Sequence, residues 1–368
     1  MPRPPAGPRP PLPSDAPFVP ARDRPHWAAR TENTKNRLMG RFLQRLGWDV
    51  RLQPFIGYGA PGRIRVLAKV LYASPSAPAD YHDQPVHDMR TMAVRGWRNF
   101  ASQVAPFARV RVTIAGDEFL VHADRSGIID TELLVDLPAG RHEAVLSTHP
   151  GNAVTAEVLV FSPDERIGVV SDIDDTVMIT WLPRPLLAFW NAFVIHQSSR
   201  RVVRGMPALY QEILREHPAA PVVYLSTGAW NVFPVLRRFL FKNGYPDGPM
   251  LLTDWGPTNT GFFRSGREHK VRALARLAEA FPQVRWILIG DDGQHDPDTY
   301  RAFEAHHPEH VEAIAIRQLT EPEQVLAHGS RRPLAEAPSR LPGDSRRTVR
   351  APDGHGLARA LRRLGVLS

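Results

Sequence analysis

The run Ile167-Gly168-Val169-Val170-Ser171-Asp172-Ile173-Asp174-Asp175-Thr176 passes from continuous apolar sequence into a cluster of three aspartates. A parallel strand covered on both faces reads as an unbroken apolar run, and in open α/β sheets ligands bind beyond the carboxyl ends of such strands. Aspartates are excluded from that interior, so the cluster marks the strand's end. Carboxylates this close repel one another as anions unless a cation or a shared proton intervenes. A divalent metal with oxygen ligands resolves the repulsion, and Mg²⁺ commonly takes one or two carboxylates together with water and a phosphate. An acidic turn that only caps a strand is the plainer alternative for this segment alone.

Two further strand ends follow. Pro221-Val222-Val223-Tyr224-Leu225 gives way to Ser226-Thr227-Gly228. Hydroxyls and free amides at a strand terminus suit a phosphoryl oxygen, although such a tripeptide also serves as an ordinary turn. Trp286-Ile287-Leu288-Ile289 ends in Gly290-Asp291-Asp292-Gly293-Gln294-His295-Asp296, a second acidic cluster. Between them Val271, Leu274, Leu277, Ala278 and Phe281 recur at helical spacing and put Lys270 in the first turn. A cation there opposes the helix dipole, so unless solvated it should be held by an anion.

The spacing Asp-x-Asp-x-Thr and the order of the later elements resemble the motifs of haloacid-dehalogenase-like phosphohydrolases. That resemblance implies a Rossmannoid parallel sheet, with Asp172 as nucleophile through an aspartyl-phosphate, Asp174 as general acid and base, and Thr176 holding the turn. It implies phosphate contacts from Ser226, Thr227 and Lys270. Asp291 would bind Mg²⁺ with Asp172 and the Asp174 carbonyl, helped by Asp292 or Asp296. His295 and His269 are read as supporting rather than ligating, because hard Mg²⁺ prefers oxygen. Ser171 to Thr176, Gly205-Met206-Pro207-Ala208-Leu209-Tyr210, Tyr224-Leu225-Ser226, Trp230 and Ile289 to Pro297 are more narrowly similar to the actin-patch-associated phosphatidate phosphatase family and its bacterial relatives. This likeness covers roughly residues 50 to 320. Two departures stand out: Asp292 replaces a usual Ser, and Thr227-Gly228-Ala229 replaces Asn-Ser-Pro. The family implies phosphatidate as substrate and diacylglycerol as product.

At 368 residues the chain exceeds one ordinary core, and two domains are expected. Residues 164–329 are read as the catalytic domain. Cysteine is absent, which excludes disulfide and thiolate chemistry. No apolar run is long enough to span a bilayer and the N-terminus has no apolar leader core, so a cytoplasmic protein, peripheral at the inner membrane face, is expected. The formal charge of +8 is concentrated at the ends. Residues 1–25 read as a Pro-rich disordered tail, and 330–368 as a basic one with nine arginines against three acids. Within the latter, Leu357, Leu361 and Leu364 form one face of a short basic amphipathic helix, suited to an anionic membrane or to the protein's own surface. Nucleic acid is a less favoured partner.

Before the catalytic domain, residues 55–163 show short segments of period two separated by Gly, Pro and Asp turns, including Asp124-Arg125-Ser126-Gly127. They predict an antiparallel β-sandwich, similar to transthyretin-like domains, with no evident chemistry of its own. An amphipathic helix with Leu38, Phe42 and Leu46 is expected within 26–48. Trp181 to Ile195, rich in aromatics, with Arg184 inside it and Arg200, Arg201 and Arg204 after it, reads as a cap suited to an acyl chain leading to a phosphate. Ordinary packing of a cap is its plainer reading. The functional expectation is a Mg²⁺-dependent phosphomonoesterase acting on a phospholipid. Its rivals are a phosphatase of a soluble monoester or nucleic-acid end, and a non-catalytic membrane-binding scaffold.

Overall fold

The computed structural model describes residues 42–43, 45–73, 103–149, 151–179, 201–253, 266–293, 295–320, 323 and 343–368. The chain is α/β. Its decisive element is a six-stranded sheet in which every pairing is parallel, built from β10 (Ile167–Ser171), β13 (Val222–Ala229), β14 (Met250–Thr253), β15 (Arg285–Asp291), β16 (Val311–Arg317) and β17 (Thr348–Ala351). The order β14-β13-β10-β15-β16-β17 puts β10 and β15, which carry the two acidic clusters, side by side. Both are apolar and buried, as strands covered by helices on two faces must be. Gly168 is required by this packing: a Cβ there would come 2.6 Å from the ring of Trp286 on the neighbouring strand.

Helices α1 (Met206–Glu216), α2 (Phe233–Lys242), α3 (Gly266–Ala280), α4 (Asp296–His306) and α5 (Gly354–Leu364) accompany this sheet. α1 buries Met206, Leu209, Tyr210 and Ile213, the i, i+3, i+4, i+7 face of an amphipathic helix. α3 departs from the expected stripe. Its buried face is Lys270, Ala273, Leu274, Leu277 and Ala278, while Val271 is 45% exposed. The helix starts at Gly266, so Lys270 lies a turn further in than expected and takes a position that apolar patterning assigns to a hydrophobe.

The N-terminal unit is a nine-stranded sheet, antiparallel except where β2 pairs β9: β1 (Asp49–Pro54), β2 (Gly57–Ala60), β3 (Arg63–Ala73), β4 (Gln103–Val104), β5 (Arg109–Ile114), β6 (Asp117–His122), β7 (Ile128–Leu133), β8 (Gly140–Ser147) and β9 (Ala153–Val160). It begins earlier than the expected residue 55, because all six residues of β1 pair with β3. The turn before β7 is made by Asp124, whose Oδ1 accepts from the amides of Ser126 and Ile128. The two units are continuous in their packing. Phe55, Ile56, Tyr58, Leu67, Ile128 and Phe161 share one core with the parallel sheet.

Two expectations for the flanks are corrected. Residues 343–368 are not a solvated tail: β17 pairs with β16, and α5 buries Leu357, Ala358 and Leu361 against the parallel-sheet unit. Arg350, counted among the tail's free charges, is buried and ion-paired with Asp344. The face of α5 offered to a lipid interface is therefore used in packing on the protein itself. At the other end, Phe42 and Leu46 of the expected stripe are exposed and Leu43 beside them is buried, while Leu38 lies outside the described residues. The Pro-rich segment 1–25 and the cap expected at 181–195 lie outside the described residues. Among the described residues no helix is long and apolar enough to cross a membrane.

Candidate active site

At the carboxyl ends of the parallel strands, three buried aspartates from different elements converge. Asp172 follows β10 and its amide donates to the carbonyl of Ile289 at 2.8 Å. Asp291 is the last residue of β15, and Asp296 opens α4. Carboxylate oxygens of Asp172, Asp291 and Asp296 all lie within 4.8 Å of one another. Gly290 makes room for the third member, since a Cβ there would come 2.6 Å from Asp296 Oδ2. Among the described residues, the cation set between them is Lys270: its Nζ donates to Asp172 Oδ1 at 2.6 Å and to Asp296 Oδ1 at 2.5 Å. The ammonium expected to need an anion thus has two.

This arrangement is electrostatically unbalanced. Burial, followed by the neighbouring Asp296 and Asp174, pushes the Asp172 carboxyl well above the usual range, with Lys270 alone opposing. Burial, Asp296 and Asp172 raise Asp291 likewise. Burial acts to lower Lys270, but Asp172 and Asp296 outweigh it and hold the ammonium charged. With all three carboxylates ionised, one ammonium would leave two negative charges uncompensated in a low-dielectric interior, which is costly. The second oxygens Asp172 Oδ2, Asp291 Oδ2 and Asp296 Oδ2 are buried with no hydrogen-bond partner among the described residues. An all-oxygen donor set, a surplus of two charges and three unpartnered carboxylate oxygens fit a hard divalent cation such as Mg²⁺.

The linkage has a definite sign. Asp172 and Asp291 have folded pKa values above those of the unfolded chain, so without metal the folded protein holds protons that the unfolded chain releases. Stability is then fully present below the ordinary carboxylate range and is lost as pH rises toward the raised values. A bound divalent cation removes that penalty. The thermal midpoint should therefore rise on adding Mg²⁺, and rise more at pH 8 than at pH 5; a ligand at a hundred times its Kd contributes about 2.7 kcal/mol. Differential scanning fluorimetry at both pH values, with and without MgCl₂, reads this directly, and equal midpoints in all four conditions would remove the metal from the site.

The other expected residues fall into place unevenly. Asp174 is buried, and Ser226 Oγ donates to its Oδ2 at 2.9 Å, which brings the second strand end to the first. The amide of Gly228 donates back to Ser226 Oγ at 2.9 Å. Thr227 is half-buried, its carbonyl accepting from Thr253 Oγ1 at 2.7 Å and its methyl facing Gly266 at the start of α3. Thr176 is buried inside the turn. Asp292 is not with the cluster: its Oδ1 accepts from the Leu319 amide at 2.8 Å, so the third close carboxylate is Asp296. His269 is half-buried, its Nε2 against the Leu251 carbonyl at 3.1 Å, and desolvation lowers its pKa to about 4, consistent with a neutral packing residue. His295 is exposed at the N-terminal boundary of α4.

Sequence reading missed the supports behind the cluster. Asp175 has a positive φ of 56°, strained for a residue with a Cβ, and its carbonyl accepts from buried Arg317 Nη1 at 2.7 Å. Arg317 is anchored in turn by both oxygens of Glu323 at 2.8 Å. Tyr210 from α1 is hydrogen-bonded to the Ser171 hydroxyl, and Ser171 donates to the Asp172 carbonyl at 2.7 Å. A lone arginine ending an apolar strand gives no periodic signal for such a role.

Residues 167–318, from the first strand of the parallel sheet to just past β16, match the family described as phosphatidate phosphatase APP1, catalytic domain. Phosphatidate phosphatase APP1 of Saccharomyces cerevisiae is 28% identical over 189 residues, which is 50% of this chain and 30% of the yeast protein. An uncharacterized Schizosaccharomyces pombe protein is 22% identical over 154 residues, 42% of this chain and 25% of that protein. The chain thus matches less than a third of the length of either relative. A carbohydrate acetylesterase structure from Xanthomonas citri aligns with 74% of this chain and 61% of its own at 10% identity, but its TM-score of 0.28 is too low to carry an argument. With the order of its motifs and the buried acidic cluster at its strand ends, the stretch 167–318 is similar to the phosphatidate phosphatase APP1 catalytic domain.

Proposed function

We propose that the protein is a Mg²⁺-dependent phosphomonoesterase, with phosphatidate the favoured substrate, and that its parallel sheet is a haloacid-dehalogenase-like Rossmannoid domain behind an N-terminal β-sandwich. The observation that carries the reading is Asp172: a buried carboxylate held through Oδ1 by Lys270, with Oδ2 unpartnered beside two further carboxylates. Asp172 attacks phosphorus, and the bond to the leaving alcohol breaks as Asp174 delivers its proton to that oxygen. The aspartyl-phosphate is then opened by water, whose proton Asp174 takes up, releasing phosphate and restoring Asp172. Ser226, bonded to Asp174 Oδ2, fixes the acid's orientation, and Thr227 and Lys270 hold phosphoryl oxygens, joined by Ser226 when its hydroxyl turns from Asp174 to substrate. Asp172, Asp291, Asp296 and the Asp174 carbonyl would hold the cation, which supplies neutralisation of phosphoryl charge. Asp292, directed at the Leu319 amide, is left out of that set.

Phosphatidate itself rests on the family match and the named yeast relative. The test is a phosphate-release panel of phosphatidate, lysophosphatidate, diacylglycerol pyrophosphate and water-soluble monoesters, each with Mg²⁺ and with chelator. Preference for phosphatidate in mixed micelles, lost on chelation, is expected. Equal turnover of soluble monoesters would shift the assignment to a soluble substrate, and release undiminished by exhaustive chelation would refute the metal. Asp291→Ala should raise the Mg²⁺ requirement or abolish release, whereas His295→Ala should leave a metal-dependent enzyme.

A further inference from the structure

The N-terminal sheet has no evident chemistry, yet it reaches the loop that carries Ser226 and Thr227. The pairing of β13 with β14 breaks register between Leu225 and Ala229, so Ser226, Thr227 and Gly228 bulge out of the ladder. A bulge re-aims side chains but forfeits ladder hydrogen bonds, so something else must hold it. On one side Thr253 Oγ1 grips the Thr227 carbonyl. On the other side the grip comes from the N-terminal unit. The Trp230 ring, immediately after β13, stacks on Phe55 with centroids 4.5 Å apart and planes at 20°, and Phe233 leans on the same ring at 4.6 Å. Phe55 is buried and tied to β3 by its amide, which donates to the Leu67 carbonyl at 3.0 Å. Two residues along β3, Lys69 is buried and hydrogen-bonds the side-chain carbonyl of Asn231. A buried ammonium is costly unless it is paired and hydrogen-bonded, and the bond to Asn231 ties it to the residue after Trp230.

We infer that Phe55 and Lys69 are positioning residues of the active site, through which the N-terminal unit fixes the bulged Ser226–Gly228 loop in its phosphoryl-binding shape. The inference rests on the reading of Ser226 and Thr227 as phosphate contacts. Both act through Trp230 and Asn231, and neither touches the carboxylates. The preceding sheet of the same chain supplies the wall behind the loop, and the family-matched segment beginning at residue 167 does not contain it.

The test uses the full chain with Phe55→Leu, which keeps an apolar side chain and loses the stack, Lys69→Met, which loses the hydrogen bond, and Lys69→Gln, whose amide still donates to Asn231. Hydrogen exchange is followed in peptides covering 222–231 and 285–291, alongside Mg²⁺-dependent hydrolysis of p-nitrophenyl phosphate. Exchange at 226–229 should quicken about tenfold in Phe55→Leu and Lys69→Met with 285–291 unchanged, and Lys69→Gln should stay near wild type. KM should rise several-fold in the same two variants. Unchanged exchange at 226–229, or equal quickening at 285–291, overturns the inference. Because exchange is read without turnover, absence of wild-type hydrolysis would count against the phosphatase reading and leave the loop result standing.

Discussion

Asp172→Asn is expected to abolish phosphate release while leaving a folded protein whose metal-free thermal midpoint is at least that of the wild type. The two halves of this result have one cause. An amide of the same shape cannot form the acyl-phosphate, so the two-step route is closed. The same change removes one of the three carboxylates competing for the Lys270 ammonium, and burial with that competition is what holds Asp172 well above its usual pKa. Lys270→Ala should show the opposite stability effect, a loss of about 3–5 kcal/mol, because it takes the ammonium away from buried Asp172 and Asp296. Phosphate release and thermal melts on the same preparations check both. Full release by folded Asp172→Asn would remove the nucleophile assignment, and a marked fall in its midpoint would contradict the charge argument.

Removing residues 343–368 is expected to prevent the parallel-sheet unit from folding stably, rather than to weaken attraction to a surface. β17 closes one edge of the parallel sheet, and without it β16 presents unpaired backbone groups. Leu357 and Leu361 are fully buried, each contributing about 1.5–3 kcal/mol, with Val349, Ala351, Ala358 and Leu367 adding to them. The sum takes a large share of an ordinary stability of about 5–15 kcal/mol. Gly354 lies so close to Gly205 that a Cβ would meet its carbonyl at 2.3 Å, and the Gly354 amide donates to the Arg204 carbonyl at 2.9 Å, so α5 also seats the start of α1. Circular dichroism and urea titration of the truncated chain measure the loss. A cooperative transition at the wild-type midpoint would show that the segment is dispensable after all.

The catalytic strands and the acids at their ends were legible in the sequence because two-sided burial forces continuous apolar runs and expels aspartate to the strand ends. Lys270 was legible only as a cation needing an anion; that it lies on the buried face of α3, with Val271 turned outward, depends on what α3 packs against. The choice between Asp292 and Asp296 was undecidable from spacing. In the fold Asp296 is the one that sits with Asp172 and Asp291, because α4 begins at it beside a residue with no Cβ, while Asp292 accepts from the Leu319 amide. The C-terminal arginines illustrate the remaining limit. Charge composition predicts solvent, but Arg350 is buried because Asp344 neutralises it, and the apolar face of α5 meets the catalytic unit rather than a lipid. Local pattern determines which face of an element is apolar and where a strand must stop. What covers that face, and which charge balances which, is a property of elements far apart in sequence that only the assembled fold brings together.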